Sequence, residues 1–173
     1  MSPDHVRTAP DGIDAVIALD IDGVLNSIEF MSVRDPIDTT GVNALSGELV
    51  RRLEGLNRYR LGWLLSSTWR YDVSPEEMTR MLMSHGSSIV IFSSTPLWSG
   101  VTRGEQILSW ARVTGYTGRI FALDDDGDTA PIHTVKTDVR IGLTDADVSA
   151  LAALIEDEST GRINLPSLYY HNI

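Results

Sequence analysis

Ala15–Leu19 is an unbroken apolar run containing Val and Ile, closed on both sides by acids, Asp14 and Asp20. A run this short, with no polar alternation, reads as a strand buried on both faces, as strands are in a parallel sheet. The pattern recurs along the chain. Leu61–Leu65, Ser88–Phe92 and Arg119–Leu123 read as further strands, with Val135–Val139 a fifth. Helical patterns separate them. Ser46–Tyr59 carries Leu49, Leu53 and Leu56 at helical spacing. Ser74 with Glu77, and Thr102 with Glu105, have the spacing of capping boxes, predicting helices to about Ser84 and about Thr114. A last helix, Asp145–Glu156, follows the turn-like Gly142. Strands alternating with helices predict an α/β fold, a three-layer Rossmann-like parallel sheet with right-handed crossovers. Residues 1–13 read as a flexible polar tail, and 14–173 as one domain.

Bulk properties narrow the setting. The 173 residues suffice to bury a real core, and the apolar and charged fractions, 42% and 22%, are those of a globular protein. No apolar run approaches the ~20 residues needed to span a bilayer. The first residues lack the charged and apolar regions of a secretory signal. The chain has no cysteine, which excludes disulfides and thiolate metal sites. A soluble, cytoplasmic protein without a membrane partner is expected. The formal charge of −10 works against broad nucleic-acid binding. It leaves room for a local basic patch, because the acids concentrate in Asp124–Asp128 and Asp145–Glu158.

Ligands of parallel α/β sheets sit beyond the carboxyl ends of the strands. The polar groups of this sequence gather there: Asp20 and Asp22 after the first strand, Ser66 and Ser67 after the second, Asp124 and Asp125 after the fourth. Three distant segments converge on one place.

The segment Val16-Ile-Ala-Leu-Asp20-Ile-Asp22-Gly23-Val24 resembles the first motif of the haloacid dehalogenase-like (HAD) phosphohydrolases, an apolar strand followed by Asp-x-Asp-Gly. The later segments follow that family's order over roughly residues 15–145. The strings Asp20-Ile-Asp-Gly-Val-Leu-Asn-Ser, Leu65-Ser-Ser-Thr-Trp-Arg, Arg103-Gly-Glu and Leu123-Asp-Asp-Asp are similar to the HAD domains associated with RNA-repair ("Swiss Army Knife") proteins.

The resemblance implies a Mg²⁺-dependent phosphomonoester hydrolase acting through an aspartyl phosphate. Asp20 would attack phosphorus, and Asp22 would protonate the leaving oxygen and then deprotonate the attacking water. Asp20, the backbone carbonyl of Asp22, and Asp124 or Asp125 would hold the ion, with Asp128 a weaker candidate. Gly23 lets the chain turn sharply after the strand. Ser66, with Ser67 as its substitute, would donate to the phosphoryl oxygens, and Arg103 would neutralise their charge. The family usually places Lys at this basic position. Arg103 keeps the charge and adds a fork suited to phosphate, whereas Lys136, after the acids, fits poorly.

Each signal has a plainer reading. The serines could cap the following segment, Arg103 could join a surface ion pair, and the Asp124–Asp128 run could be a solvated loop. Trp69 and Arg70 would grip and stack a nucleotide, or else serve as a core residue and a partner of a surface acid. Trp63, Trp98 and Trp110 read as packing residues. The interval Asn26–Ser46 holds a flap rather than a folded cap domain, and an open site suits large substrates. A phosphate at a polynucleotide end is the expected substrate. A small-molecule or nucleotide phosphatase, or a HAD-fold binding module without turnover, are the alternatives.

Overall fold

The computed structural model describes residues 5–34, 41–98 and 100–163. Five strands, β1 (Ala15–Leu19), β2 (Leu61–Leu65), β3 (Ile91–Ser94), β4 (Ile120–Asp124) and β5 (His133–Lys136), form one sheet in the order β3-β2-β1-β4-β5. Every neighbouring pair is parallel. The helices are α1 (Ile28–Ser32), α2 (Gly47–Arg52), α3 (Pro75–Ser84), α4 (Arg103–Thr114) and α5 (Asp145–Glu156). The strand order reverses at β1, which has β2 on one side and β4 on the other. Such a reversal opens a crevice at the carboxyl ends of the two central strands.

Alternation along β1 divides the core into two layers. Ala15, Ile17 and Leu19 pack with Leu49 and Val50 of α2, Met78 and Leu82 of α3, and Leu151 and Ile155 of α5. Val16 and Ala18 face the other way, onto Ile107, Trp110 and Ala111 of α4. All five β1 residues are buried, as a strand covered on both faces requires. The expected parallel three-layer sheet is present.

Residues 5–13 depart from the expected tail. The Arg7 N–H donates to Ser93 Oγ at 2.9 Å, Ser93 Oγ donates to the His5 carbonyl at 3.0 Å, and Trp110 Nε1 donates to the Arg7 carbonyl at 3.1 Å. Val6, Ala9 and Ile13 pack on the face that α4 shares. Those apolar residues are too scattered in sequence to show a period. Residues 35–40 of the expected flap and 164–173 of the expected domain lie outside the described residues.

Three element boundaries also differ from expectation. The helix expected over Ser46–Tyr59 stops at Arg52 and tightens into a 3₁₀ turn, Leu53–Leu56. That turn contains Gly55, a poor helix former, set close to Val148 of α5. The third strand starts at Ile91 rather than Ser88, because side chains satisfy the backbone before it. Glu54 accepts from the Ser88 N–H, Ser87 Oγ from Ile89, and Thr79 Oγ1 from Ile91. The fifth strand is His133–Lys136 rather than Val135–Val139. Its chain leaves the sheet at Thr137 and closes a turn in which Ile141 and Gly142 both donate to the Asp138 carbonyl.

Candidate active site

The backbone ladder runs past the strand ends and sets the site. Asp20 N–H donates to the Leu123 carbonyl at 3.0 Å, and Ser66 N–H to the Leu19 carbonyl at 2.9 Å. Asp20, Ser66 and Asp124 therefore sit side by side at one sheet edge. A carboxylate oxygen from each of Asp20, Asp124 and Asp125 lies within 4.8 Å of the others. Asp20 and Asp124 are 4% and 1% exposed.

Arg103 enters this cluster from the first turn of α4. Its Nη1 is 3.1 Å from Asp20 Oδ1 and its Nε is 3.4 Å from Asp124 Oδ2, and Nη1 also donates to the Ser66 carbonyl. A cation at a helix start opposes the macrodipole, and the carboxylates it meets supply the compensation. The full capping box of Thr102 and Glu105 fixes where that helix begins. Asp128 takes the Arg103 N–H at 3.1 Å and lies 3.9 Å from its Nε. It sits outside the cluster of the other three acids, so it holds Arg103 in place. Lys136 is exposed and pairs with none of the site's carboxylates.

Electrostatics follow from burial. Desolvation pushes the Asp20 carboxyl above the ordinary carboxylate range, against the pull of Arg103 and a hydrogen bond from Ser67. Asp124 is pushed up to about 7, by burial first and then by the Asp20 charge. Burial also raises Asp125. Acidic groups outnumber the single guanidinium here, and a divalent cation would relieve the excess negative charge. The donors are all hard oxygens, the set Mg²⁺ prefers. Asp20, Asp124 and Asp125 fit such an ion.

The Asp22 carboxylate stands apart from the cluster. It is exposed, and Asn26 Nδ2 donates to its Oδ1 at 2.8 Å. Trp69 Nε1 donates to Oδ1 and Oδ2 at 3.0 and 3.1 Å. Immediately after Asp22, Gly23 has φ +72°, and a Cβ there would lie 2.5 Å from the Asp125 carboxyl carbon. Only glycine fits both the backbone and the space.

The two serines differ. Ser67 Oγ accepts from the Trp69 N–H and contacts Asp20. Ser66 Oγ is buried with no hydrogen-bond partner. An unsatisfied buried hydroxyl is costly unless something is bound there. Arg70 corrects an expectation. It is 7% exposed, and its guanidinium donates to the Ser67 carbonyl and to Gln106 Oε1. It braces the loop after β2 from within rather than pairing with a surface acid. Trp98 is half exposed rather than packed, while Trp63 and Trp110 are core residues as expected.

Sequence reasoning missed the roles of Asn26 and Trp69 toward Asp22. Asn26, four residues after Asp22, also accepts the Gly23 N–H at 3.1 Å, the mark of a side-chain-closed turn. That spacing was the available signal. Nothing local could place Trp69, 47 residues away.

A family model described as the HAD domain in Swiss Army Knife RNA repair proteins matches residues 16–148, more than half of the chain. The chain belongs to that family. The match runs from β1 into α5 and includes every residue of the site above, and it supports a hydrolase of HAD type. No curated protein matches the chain. A solved crystal structure aligns with this HAD domain at a TM-score of 0.41 and 15% identity, covering 83% of this chain and 78% of the other. So distant a likeness carries no argument. None of the described helices is long and apolar enough to cross a membrane.

Proposed function

We propose that this HAD domain is a Mg²⁺-dependent phosphomonoesterase with Asp20 as nucleophile. The observation that carries the reading is the juxtaposition of Asp20 with Arg103, Ser66, Asp124 and Asp125 at the carboxyl edge of β1 and β4. An Asp20 oxygen bonds to phosphorus as the bond to the leaving oxygen breaks, and Asp22 gives that oxygen its proton. Water then attacks the aspartyl phosphate, the Asp20–phosphorus bond breaks, and the water's proton returns to Asp22. Ser66 Oγ, without a partner of its own, donates to a phosphoryl oxygen, and Arg103 neutralises charge there. Asp20, the Asp22 carbonyl, Asp124 and Asp125 would hold the ion, which supplies screening between carboxylate and phosphate when bound.

The substrate in this proposal is a phosphate at a polynucleotide end. Two observations support it. The family is described by its place in RNA-repair proteins. Between Asn26 and Ser46 the described residues form only α1 and a 3₁₀ turn, and the interval of about twenty residues is too short for a folded cap domain. Nucleotide or other small phosphomonoester hydrolysis is the alternative reading. A 3′-phosphorylated oligonucleotide should compete with an aryl phosphate substrate more strongly than a nucleoside monophosphate does. Equal competition would favour the small-substrate reading.

The primary test is phosphate release from an aryl phosphate with Mg²⁺, with chelator, and in Asp22→Asn. Chelator should abolish release. Asp22→Asn should lower it about 10²–10⁴-fold, the ordinary worth of a general acid–base. Near-normal turnover in that variant would remove Asp22 from the mechanism.

The raised carboxylates make a second prediction. A raised folded-state pKa contributes stability that is fully present below the unfolded value and is lost as pH rises through the folded one. The metal-free protein should therefore lose on the order of a few kcal/mol between about pH 4 and pH 8, chiefly through Asp124. Mg²⁺ should raise the melting temperature more at pH 8 than at pH 5. An increment independent of pH would show that these acids do not bind it.

A further inference from the structure

Trp69 belongs to the short turn Thr68–Tyr71 that follows β2, and its indole N–H spans both oxygens of Asp22. Indole nitrogen is a donor only, so this contact has one polarity. Asn26 Nδ2 donates to Oδ1 alone. Asn26 in turn is fixed by accepting the Gly23 N–H. The carboxylate is thus clamped by two side chains, one from its own turn and one from a loop across the sheet edge. Beside the clamp lies an open hollow of about 510 Å³, lined by Asp22, Thr68, Trp69, Tyr71, Asp72 and Val73. It is the hollow that Asp22 itself borders, so a leaving group held there would have its oxygen beside the acid.

We infer that Trp69 is a positioning residue for Asp22, aiming its proton at a leaving group seated in this hollow. The inference rests on the phosphatase reading above, because it presumes that Asp22 protonates the leaving oxygen. It extends that reading by assigning the hollow and by naming which substrates depend on Trp69. A leaving oxygen of high basicity, such as an alkyl or ribose hydroxyl, needs the proton as its bond to phosphorus breaks. A nitrophenolate leaves without one. Proton delivery is sensitive to small errors of placement, since reacting groups must meet within hydrogen-bond reach. Loss of the clamp therefore falls selectively on poor leaving groups. A merely structural role for Trp69 would slow all substrates alike.

The test compares 4-nitrophenyl phosphate with an alkyl phosphate, in the wild type, Trp69→Phe and Asp22→Asn, all with Mg²⁺. Trp69→Phe keeps an aromatic ring and removes the donor. The ratio of alkyl to aryl kcat should fall at least about tenfold in Trp69→Phe, and further in Asp22→Asn. Asn26→Asp, which keeps the acceptor for Gly23 and loses the donor to Asp22, should shift the ratio the same way. It serves as the second variant should Trp69→Phe melt far below the wild type. An unchanged ratio in both variants, alongside a lowered ratio in Asp22→Asn, would overturn the positioning role and leave the phosphatase reading standing. An unchanged ratio in Asp22→Asn, or no hydrolysis of either ester by the wild type, would overturn both.

Discussion

Asp20→Asn should abolish phosphate release, by at least about a thousandfold, while leaving the protein as stable as the wild type or more so. The side chain keeps its shape and one oxygen but loses the charge proposed to attack phosphorus, and no other acid in the cluster stands in its place. Stability moves the other way because Asp20 is buried and its carboxyl is pushed above the usual range. Removing a charge that desolvation disfavours offsets the loss of the 3.1 Å pair with Arg103, which keeps Asp124 and Asp128 as partners. Sites of chemistry commonly carry such a cost. Thermal melting and acid-quenched detection of protein-bound phosphate check both halves. A variant that still accumulates covalent phosphate would place the nucleophile elsewhere.

Gly104→Ala should be strongly damaging for the addition of a single methyl. Alanine inside a helix ordinarily gains about 1 kcal/mol over glycine. Here a Cβ would stand 2.5 Å from the Thr129 carbonyl oxygen and nearer still to that of Ala130. Both are backbone atoms, so neither can rotate away. The Gly104 N–H also donates to the Asp128 carbonyl at 3.0 Å, tying the first turn of α4 to the same loop. Overpacking of this kind costs about 1–3 kcal/mol, sometimes more, and outweighs the propensity gain. Displacement of that turn moves the adjacent Arg103 off Asp20, so turnover should fall at least about tenfold with it. Gly127→Ala is the control: its Cβ would meet nothing within 4 Å, and stability should hold within about 0.5 kcal/mol. Urea denaturation of the two variants decides the matter, and equal midpoints would contradict the packing argument.

The contrast between legible and illegible elements has a physical pattern. Strand β1 and helices α4 and α5 lie where the sequence puts them, because each is set by its own residues: an apolar run between acids, a capping spacing, a helical period. The edges of β3 and β5 are set by partners instead. Glu54 and Ser87 accept from the N–H groups of Ser88 and Ile89, Thr79 accepts from that of Ile91 itself, and just past β5 the Thr137 hydroxyl donates to the Gly23 carbonyl. The site divides the same way. Asp20, Ser66, Arg103, Asp124 and Asp125 announce themselves by standing at strand or helix ends. Arg70 looked exposed beside them, and only the position of Gln106 on α4 reveals that it turns inward. Trp69 read equally well as core, since its partner Asp22 belongs to another strand's end.

Because Asp20, Ser66 and Asp124 are aligned by hydrogen bonds between neighbouring strands, and Arg103 by a helix crossing from β3 to β4, no single segment of the chain carries the whole proposed site. The residues of the proposed site are spread across about a hundred positions of sequence, from Asp20 to Asp125. They come together only when β1 has found both β2 and β4. Formation of the site and cooperative assembly of the sheet are therefore a single event. An opening that separates β4 from β1 takes the proposed site apart at once, and refolding restores it whole.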